Sequence, residues 1–118
     1  MRNPILAAAL LLALAGCKSS MGPDSITVCE TNTARLCTAW VRSGKQYVAD
    51  WAQGSHAIIK VSRFDNTAVS FVRDDPSGTS AGMHAVYSGT PSGHSVRDGV
   101  VTWTYNGDTF SGTWTADW

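Results

Sequence analysis

The sequence predicts an all-β domain: a small antiparallel meander of six to seven strands, arranged as an up-and-down barrel or as a two-sheet sandwich. Residues 17–118 contain ten Val and twelve Thr but a single Leu, Leu36. Val and Thr favour strands, whereas Leu favours helices. Turn signals rich in Gly, Pro, Asn and Asp recur about every 11 to 15 residues from residue 53 onward. This rhythm is typical of strands joined by hairpins.

Six strands are predicted between residues 46 and 117, and a seventh around residues 38–42. Each of the six shows apolar residues at every second position, the pattern of a strand with one buried face. The alternating apolar positions of the first four are Tyr47, Ala49 and Trp51; Ala57, Ile59 and Val61; Val69 and Phe71; and Met83, Ala85 and Tyr87. Between the third and fourth strands, the run 75–78 (Asp-Pro-Ser-Gly) has the residue order of a type I turn.

The last hairpin is predicted in register from its turn. Asn106-Gly107 is a strong type I′ signal and would pair Trp103 with Phe110. Gly112 would then lie opposite Val101 and either leave room for a neighbouring ring or mark a bend. The apolar face of the hairpin comprises Val101, Trp103, Tyr105, Phe110, Trp114, Ala116 and Trp118, and the opposite face is almost entirely Thr and Ser.

Residues 1–16 are predicted to be a secretory signal. Arg2 supplies a positive charge, and residues 5–14 form an apolar run that is too short to span a membrane. Leu14-Ala15-Gly16-Cys17 follows directly and resembles the lipobox of bacterial membrane lipoproteins. The resemblance covers residues 1–17 and implies that Cys17 becomes the first residue of the mature chain and carries its lipid anchor. The alternative is an ordinary secretory signal with an incidental Cys.

The same resemblance implies a location in the bacterial cell envelope, facing the periplasm. Lys18 follows the lipidated position, where Asp would indicate retention at the inner membrane, so the outer membrane is slightly favoured. Residues 17–25 are predicted to be the anchor and a short flexible tether. The β-domain is then residues 26–118, with no further domain.

Two cysteines remain once Cys17 is assigned to the anchor. In an oxidising compartment, Cys29 and Cys37 would form a disulfide, which requires the chain to turn near residues 32–34. Two buried thiols are the alternative. A metal site is not expected, because there is no C-x-x-C spacing.

The sequence offers no catalytic constellation. Residues 78–82 match G-x-S-x-G, but Ser80 lies between strands and no His follows Asp98, contrary to the hydrolase order. Ser80→Ala is therefore expected to leave the fold unchanged. We interpret Asp75 as a turn residue and Asp74 as solvated.

The remaining charged residues suggest surface roles. Arg63 and Arg73 are candidates for ion pairs with Asp65 or Asp74. The three histidines, His56, His84 and His94, share no short metal-ligand spacing. No metal or cofactor is expected.

Five tryptophans are the most unusual feature of the composition. Alternation places Trp103, Trp114 and Trp118 with the core residues, where large rings compensate for the scarcity of Leu. Trp118 at the chain end and Trp40 outside the clear meander are expected to be the most exposed, and therefore the candidate binding residues.

These features predict a non-catalytic, lipid-anchored envelope protein whose β-domain is a protein-interaction or structural module. Its partners would be the membrane, through Cys17, and an envelope protein. The alternative is a small-ligand or glycan binder that uses an aromatic cleft or barrel mouth. The architecture is also similar to that of periplasmic lysozyme inhibitors, which implies an inhibitor as a further alternative. Residues 17–118 carry a net charge of −1, which does not favour nucleic acid as a partner.

Overall fold

Nine strands make up almost all of the regular structure in a computed structural model that describes residues 22–118. The strands are β1 (Ser25–Thr31), β2 (Arg35–Ser43), β3 (Gln46–Asp50), β4 (Ser55–Phe64), β5 (Val69–Gly78), β6 (His84–Gly89), β7 (Pro91–Ser92), β8 (Ser95–Tyr105) and β9 (Asp108–Asp117). The described part of the chain contains no helix that could cross a bilayer.

The strands close into an eight-stranded antiparallel up-and-down barrel. Each long strand pairs with the next along the chain, β6 pairs with β8, and β9 pairs with β1. The two-residue strand β7 pairs only with the start of β8. Closure leaves no free edge along the long strands, which protects a small β-domain from edge-to-edge association. The barrel alternative of the sequence prediction is therefore confirmed, with one strand more than predicted.

The additional barrel strand is β1, which the sequence analysis assigned partly to the tether. It begins at Ser25, and the residues before it also contact the barrel. Tyr47 Oη donates a hydrogen bond to the carbonyl oxygen of Pro23, and Arg42 N donates to that of Asp24 at 2.8 Å. The end of the predicted tether is thus held against the barrel.

The Cys29–Cys37 disulfide is present and links β1 to β2. The two residues are direct cross-strand partners, and the chain turns between Thr31 and Arg35 as the sequence analysis required. The predicted hairpin register is also confirmed, because Trp103 pairs with Phe110 and Val101 with Gly112. Asn106 and Gly107 both have positive φ, 52° and 83°, as a type I′ turn requires.

Edge-to-face aromatic contacts fill the barrel interior. Trp40 lies perpendicular to Phe71 and Tyr87 at centroid distances of 5.2 and 5.1 Å, and Trp114 contacts the same two rings at 5.9 and 5.7 Å. An eight-stranded barrel is just wide enough for side chains to fill it. These large rings supply much of the core in a chain that has a single Leu among residues 17–118.

The prediction that Trp40 is exposed is wrong. Trp40 is fully buried, because β2 belongs to the closed barrel wall, paired with β1 and β3, and its alternation points this ring into the barrel. Trp118 is half-buried: its ring contacts Phe64 at 5.1 Å and stacks with His94 at 6.4 Å.

The predicted turn at residues 75–78 is also wrong, since β5 continues to Gly78. Asp75 N donates to the Met83 carbonyl oxygen at 3.0 Å, and the Asp75 carbonyl oxygen accepts from Gly82 N at 2.8 Å. The β4–β5 register shifts between His56 and Ile58. This bulge lies beside Pro76, which has no N–H for the ladder.

Candidate functional site

One end of the barrel carries a cavity, and we call this end the mouth. Four turns form it: those joining β1 to β2, β3 to β4, β5 to β6, and β8 to β9. The cavity has a volume of about 220 Å³. Half of its lining is apolar (Ala34, Leu36, Trp51, Met83, Trp103 and Phe110) and half is polar or charged (Glu30, Asn32, Gln53, Ser55, Arg73 and Ser80).

Buried polar side chains are concentrated at this end. Four polar or charged residues are buried within residues 22–118, namely Glu30, Ser55, Arg73 and Asp75, and all four belong to one hydrogen-bonded group below the cavity. Burial of charges is costly unless they are paired and hydrogen-bonded. A group of buried charges is therefore an unusual feature for the interior of a small barrel.

Arg73 is the centre of the group. Its Nε and Nη2 donate to the two carboxylate oxygens of Asp75 at 2.7 and 2.9 Å, and its Nη1 lies 3.3 Å from both oxygens of Glu30. Nη1 also donates to Tyr87 Oη at 3.1 Å. The guanidinium carbon lies 4.0 Å from the centroid of the Trp51 ring, within cation–π range. All three guanidinium nitrogens are thus engaged with the protein.

Glu30 has four hydrogen-bond contacts, none of them with water-exposed groups. Besides Arg73 Nη1, Tyr87 Oη donates to Oε2 at 2.7 Å and Trp103 Nε1 donates to Oε1 at 3.2 Å. Burial raises the pKa of Glu30 above its usual value, against the opposing effects of Arg73, Tyr87 and Trp103. The Oε1 contacts, at 3.2 and 3.3 Å, are longer than strong charge-assisted bonds.

Two further groups of the cluster, Arg73 and Tyr87, are held in their ordinary protonation states. Burial acts to lower the pKa of Arg73, but the bonds from Asp75 and the neighbouring charges outweigh it and raise that pKa. Burial, together with the Glu30 charge, raises the pKa of Tyr87 well above its usual value. Arg73 stays a cation and Tyr87 a neutral phenol.

The local sequence explains why these side chains meet. Arg73 pairs across β6 with Ala85, and Ala85 pairs in turn with Trp103. The small Ala between them leaves room for both large side chains inside the barrel. A Cβ at Gly112 would lie 2.8 Å from the Trp103 ring, which confirms the prediction that Gly112 makes space for an aromatic neighbour.

Ser80 joins the group from the β5–β6 turn. Its Oγ lies 2.5 Å from Asp75 Oδ2 and 2.8 Å from Ser55 Oγ. A carboxylate only accepts, so Ser80 donates to Asp75. Loss of this hydroxyl would remove a donor from a buried carboxylate, and the expectation that Ser80→Ala is silent is accordingly revised.

Gly78 allows this turn to approach β4. It has a positive φ of 89°, and a Cβ at this position would lie 2.9 Å from the His56 backbone nitrogen. Glycine is therefore required where the end of β5 passes the start of β4, which brings Ser80 next to Ser55.

The candidate residues from the sequence fall elsewhere. Cys17 lies outside the described residues. Trp118 lies at the opposite end of the barrel from the mouth, and Trp40 is enclosed in the interior. The tryptophans at the mouth are Trp51 and Trp103, which the sequence placed on the core face.

The charged residues of the mouth were missed or misassigned. Continuing the Val69–Phe71 alternation by one step would have placed Arg73 inside. Arg73 was instead expected to be an exposed partner of Asp74. The expected pairing of Arg63 with Asp65 is present at 2.8 Å, while Asp74 pairs with His84.

No metal cluster is found among residues 22–118. His56 and His84 hydrogen-bond Asp50 and Asp74 at exposed positions, and neither contacts Ser80. The described part of the chain therefore does not assemble a Ser–His pair from the G-x-S-x-G segment.

Comparisons with protein-family models, with curated proteins and with solved structures find no match to this chain. The function of this chain is therefore inferred from the chemistry of the mouth.

Proposed function

We propose that this protein is a lipid-anchored binding protein of the bacterial envelope, whose barrel takes a ring-sized ligand at its mouth. The observation that carries the proposal is the buried Arg73–Glu30–Asp75 group directly below an open cavity of about 220 Å³. Convergent polar groups in a partly apolar pocket are typical of small-ligand sites, and barrel mouths are one of their usual positions.

Stability alone is a weak reason for this charged group. Replacing a buried ion pair by well-packed apolar residues is often neutral or stabilising. The interior beyond the mouth is already filled by aromatic rings such as Trp40 and Trp114. Polar groups that border a cavity instead fix the orientation of a ligand.

The cavity size limits what can enter. A cavity of about 150 Å³ is enough for benzene, and pockets for drug-sized ligands begin at about 300 Å³. At about 220 Å³, the mouth fits one ring with a small substituent. One sugar ring, one small aromatic compound or one side chain of a partner protein has this size.

A protein partner is the second candidate, and the rim favours it. Leu36 and Phe110, which line the cavity, are 45% and 40% exposed. Exposed apolar residues around a concave centre are suited to contact with another protein surface. In this alternative the partner covers the mouth and inserts one side chain, as an envelope interaction module or an inhibitor would do.

We do not propose an enzyme. The Ser80 hydroxyl is engaged by Asp75, and no His contacts it in the described residues. The Asp75 side chain is fully covered and bonded to Arg73 and Ser80, so this carboxylate is not positioned to reach a substrate.

A titration of the purified protein with ring-sized probes tests the binding proposal. Methyl glycosides, benzyl alcohol, benzylamine and benzoate would be followed by calorimetry. We expect at least one to bind, and we expect Phe110→Ala to weaken it. The matched control is Val100→Ala, because Val100 is 51% exposed on the outer wall. No binding by any probe, or equal effects of the two variants, would contradict the proposal.

The lipid anchor is proposed from Leu14-Ala15-Gly16-Cys17. Two or three acyl chains, each methylene contributing about 0.8 kcal/mol, would hold the protein durably on a bilayer. Mass spectrometry of protein from the membrane fraction should find a diacylglyceryl group on Cys17, and Cys17→Ala should abolish it. An unmodified Cys17, or cleavage at another position, would refute the anchor. Separation of the two membranes would test the outer-membrane location that Lys18 favours.

A further inference from the structure

We propose that the mouth selects a positively charged ligand group, an organic ammonium carried on a moiety no larger than one ring. This inference rests on the proposed function and names its ligand class. The juxtaposition that carries it is the acid-rich cluster of Glu30, Arg73 and Asp75 beneath an aromatic cavity lining.

The cluster contains more acidic than basic side chains. Glu30 and Asp75 contribute two carboxylates, and Arg73 contributes one guanidinium. Arg73 is the only base that lines the cavity among the described residues. Above the pH at which Glu30 ionises in the folded protein, one negative charge is left in a poorly solvated place, where Coulomb interactions are stronger than in water. A cation in the cavity would compensate that charge.

The hydrogen-bond geometry identifies Glu30 as the acid that meets the ligand. Asp75 is fully covered, whereas the Glu30 side chain is 8% exposed and lines the cavity. Glu30 Oε1 has only the two long contacts, from Arg73 Nη1 at 3.3 Å and Trp103 Nε1 at 3.2 Å. An ammonium group is a stronger donor than an indole N–H, and a carboxylate oxygen accepts from it at about 2.7–2.9 Å.

The aromatic lining suits the same chemistry. Trp51 already holds one cation at this site, the Arg73 guanidinium 4.0 Å from its ring centroid. Trp103 and Phe110 stack at 5.4 Å with an interplanar angle of 24° and line the cavity with it. Aromatic rings attract ammonium groups, most strongly where water is excluded.

An anionic ligand is disfavoured by the same contacts. All three Arg73 nitrogens donate to Asp75, Glu30 or Tyr87. An anion could reach the guanidinium only by displacing Glu30, which would leave a second buried negative charge beside it. A neutral ring can enter the cavity but gains nothing from the unbalanced charge.

Three probes of one shape and different charge test the inference by calorimetry on the purified protein: benzylamine as its ammonium ion, benzyl alcohol and benzoate. We expect the ammonium to bind at least about tenfold more tightly than the alcohol, equivalent to about 1.4 kcal/mol, and benzoate not to bind. Glu30→Gln should remove the difference between ammonium and alcohol. Asp117→Asn, which removes an equal charge from the far end of β9, should leave it unchanged.

The other outcomes separate this inference from the binding proposal. Equal binding of benzyl alcohol, or tighter binding of a methyl glycoside, would overturn ammonium selectivity and leave a ligand-binding mouth. Binding of no probe would overturn both.

If Glu30→Gln does not fold, the comparison of the three probes on the unaltered protein still decides whether the mouth prefers an ammonium group. An ammonium preference that persists in Glu30→Gln would overturn the role assigned to Glu30. N-acetyl-lysine methylamide, as a fourth probe, distinguishes a basic side chain of a partner from a free amine, and either source satisfies the inference.

Discussion

At the residue scale, the buried group of Glu30, Arg73 and Asp75 depends on Arg73. Its guanidinium is the shared donor to two buried carboxylates, and the Arg73 side chain is only 4% exposed. Removing one partner of a buried ion pair lowers stability far more than replacing both partners by apolar residues does. The single removal leaves an uncompensated charge in the interior.

We therefore expect Arg73→Met to lower the free energy of unfolding by about 3–5 kcal/mol, measured by denaturant titration. The control is Arg97→Met, because Arg97 pairs with Asp117 while both side chains are about 60% exposed. Exposed pairs contribute little, so this variant should have a much smaller effect. Equal losses in the two variants would show that the Arg73 group is not energetically distinct from a surface pair.

Glu30 should make stability depend on pH in an unusual direction. Burial raises its pKa in the folded state, so the folded protein retains a proton that the unfolded chain releases. The contribution of Glu30 to stability is then complete below the unfolded-state pKa, near 4.5, and is lost as pH rises through the folded-state pKa.

The measurement is the difference in unfolding free energy between the unaltered protein and Glu30→Gln across a pH series. That difference should shift in favour of the variant as pH rises above about 4.5. Subtraction cancels the titration of groups that the two proteins share. A difference that is constant with pH, or that moves the opposite way, would show that the Glu30 pKa is not raised.

At the scale of elements, the disulfide joins the one barrel strand that the sequence analysis missed to its neighbour. Cys29 and Cys37 face each other across β1 and β2, and β1 also pairs with β9 to close the barrel. A link in a ring of nine residues restricts the unfolded chain and stabilises the fold by about 2–3 kcal/mol on the entropy model.

We expect Cys29→Ser combined with Cys37→Ser to lower the unfolding free energy by about this amount while leaving the β-sheet circular dichroism unchanged. Reduction of the unaltered protein should produce the same loss, and reduction of the double variant should produce none. A stability unaffected by reduction would mean that the bridge does not constrain the chain.

The elements also show how far sequence reasoning reaches. Alternation and turn signals are local, and they predicted the strands after residue 46 and the register of the last hairpin. No strand was predicted at β1, because residues 17–25 were assigned to the tether and residues 29–37 were considered only for a disulfide and the turn that it requires. The turn expected at Pro76 was overridden by a β-bulge and by the bonds of Asp75, both of which depend on strands distant in sequence.

Most of the candidate site could not be predicted from local sequence patterns, because it too depends on strands that are distant in sequence. Glu30, Arg73 and Trp103 come from three different strands, and only closure of the barrel brings them together. Exposure was misjudged for Trp40 because its partners Phe71 and Tyr87 lie more than 30 residues away along the chain. Strand parity can place a side chain on a face, whereas the identity of its neighbours depends on topology.

At the scale of the whole molecule, the two ends of the barrel have different characters. One end is covered by the segment before β1, through Pro23 and Asp24, and by Trp118 against Phe64. The other end is the mouth, with its cavity and charged group. The first described residue, Gly22, lies at the covered end beside Tyr47 and Phe64, so the chain enters β1 at the end of the barrel opposite the mouth.

The most direct test of a binding site at the mouth is to observe which of the five tryptophan indole N–H groups respond to a ligand. In a nitrogen-15 NMR titration with benzylamine, the Trp51 and Trp103 indole signals should shift, since both rings line the cavity. Those of Trp40 and Trp118 should shift far less, because Trp40 is fully buried in the interior and Trp118 lies at the opposite end. Shifts centred on Trp118, or no shift in any indole signal, would contradict a binding site at the mouth.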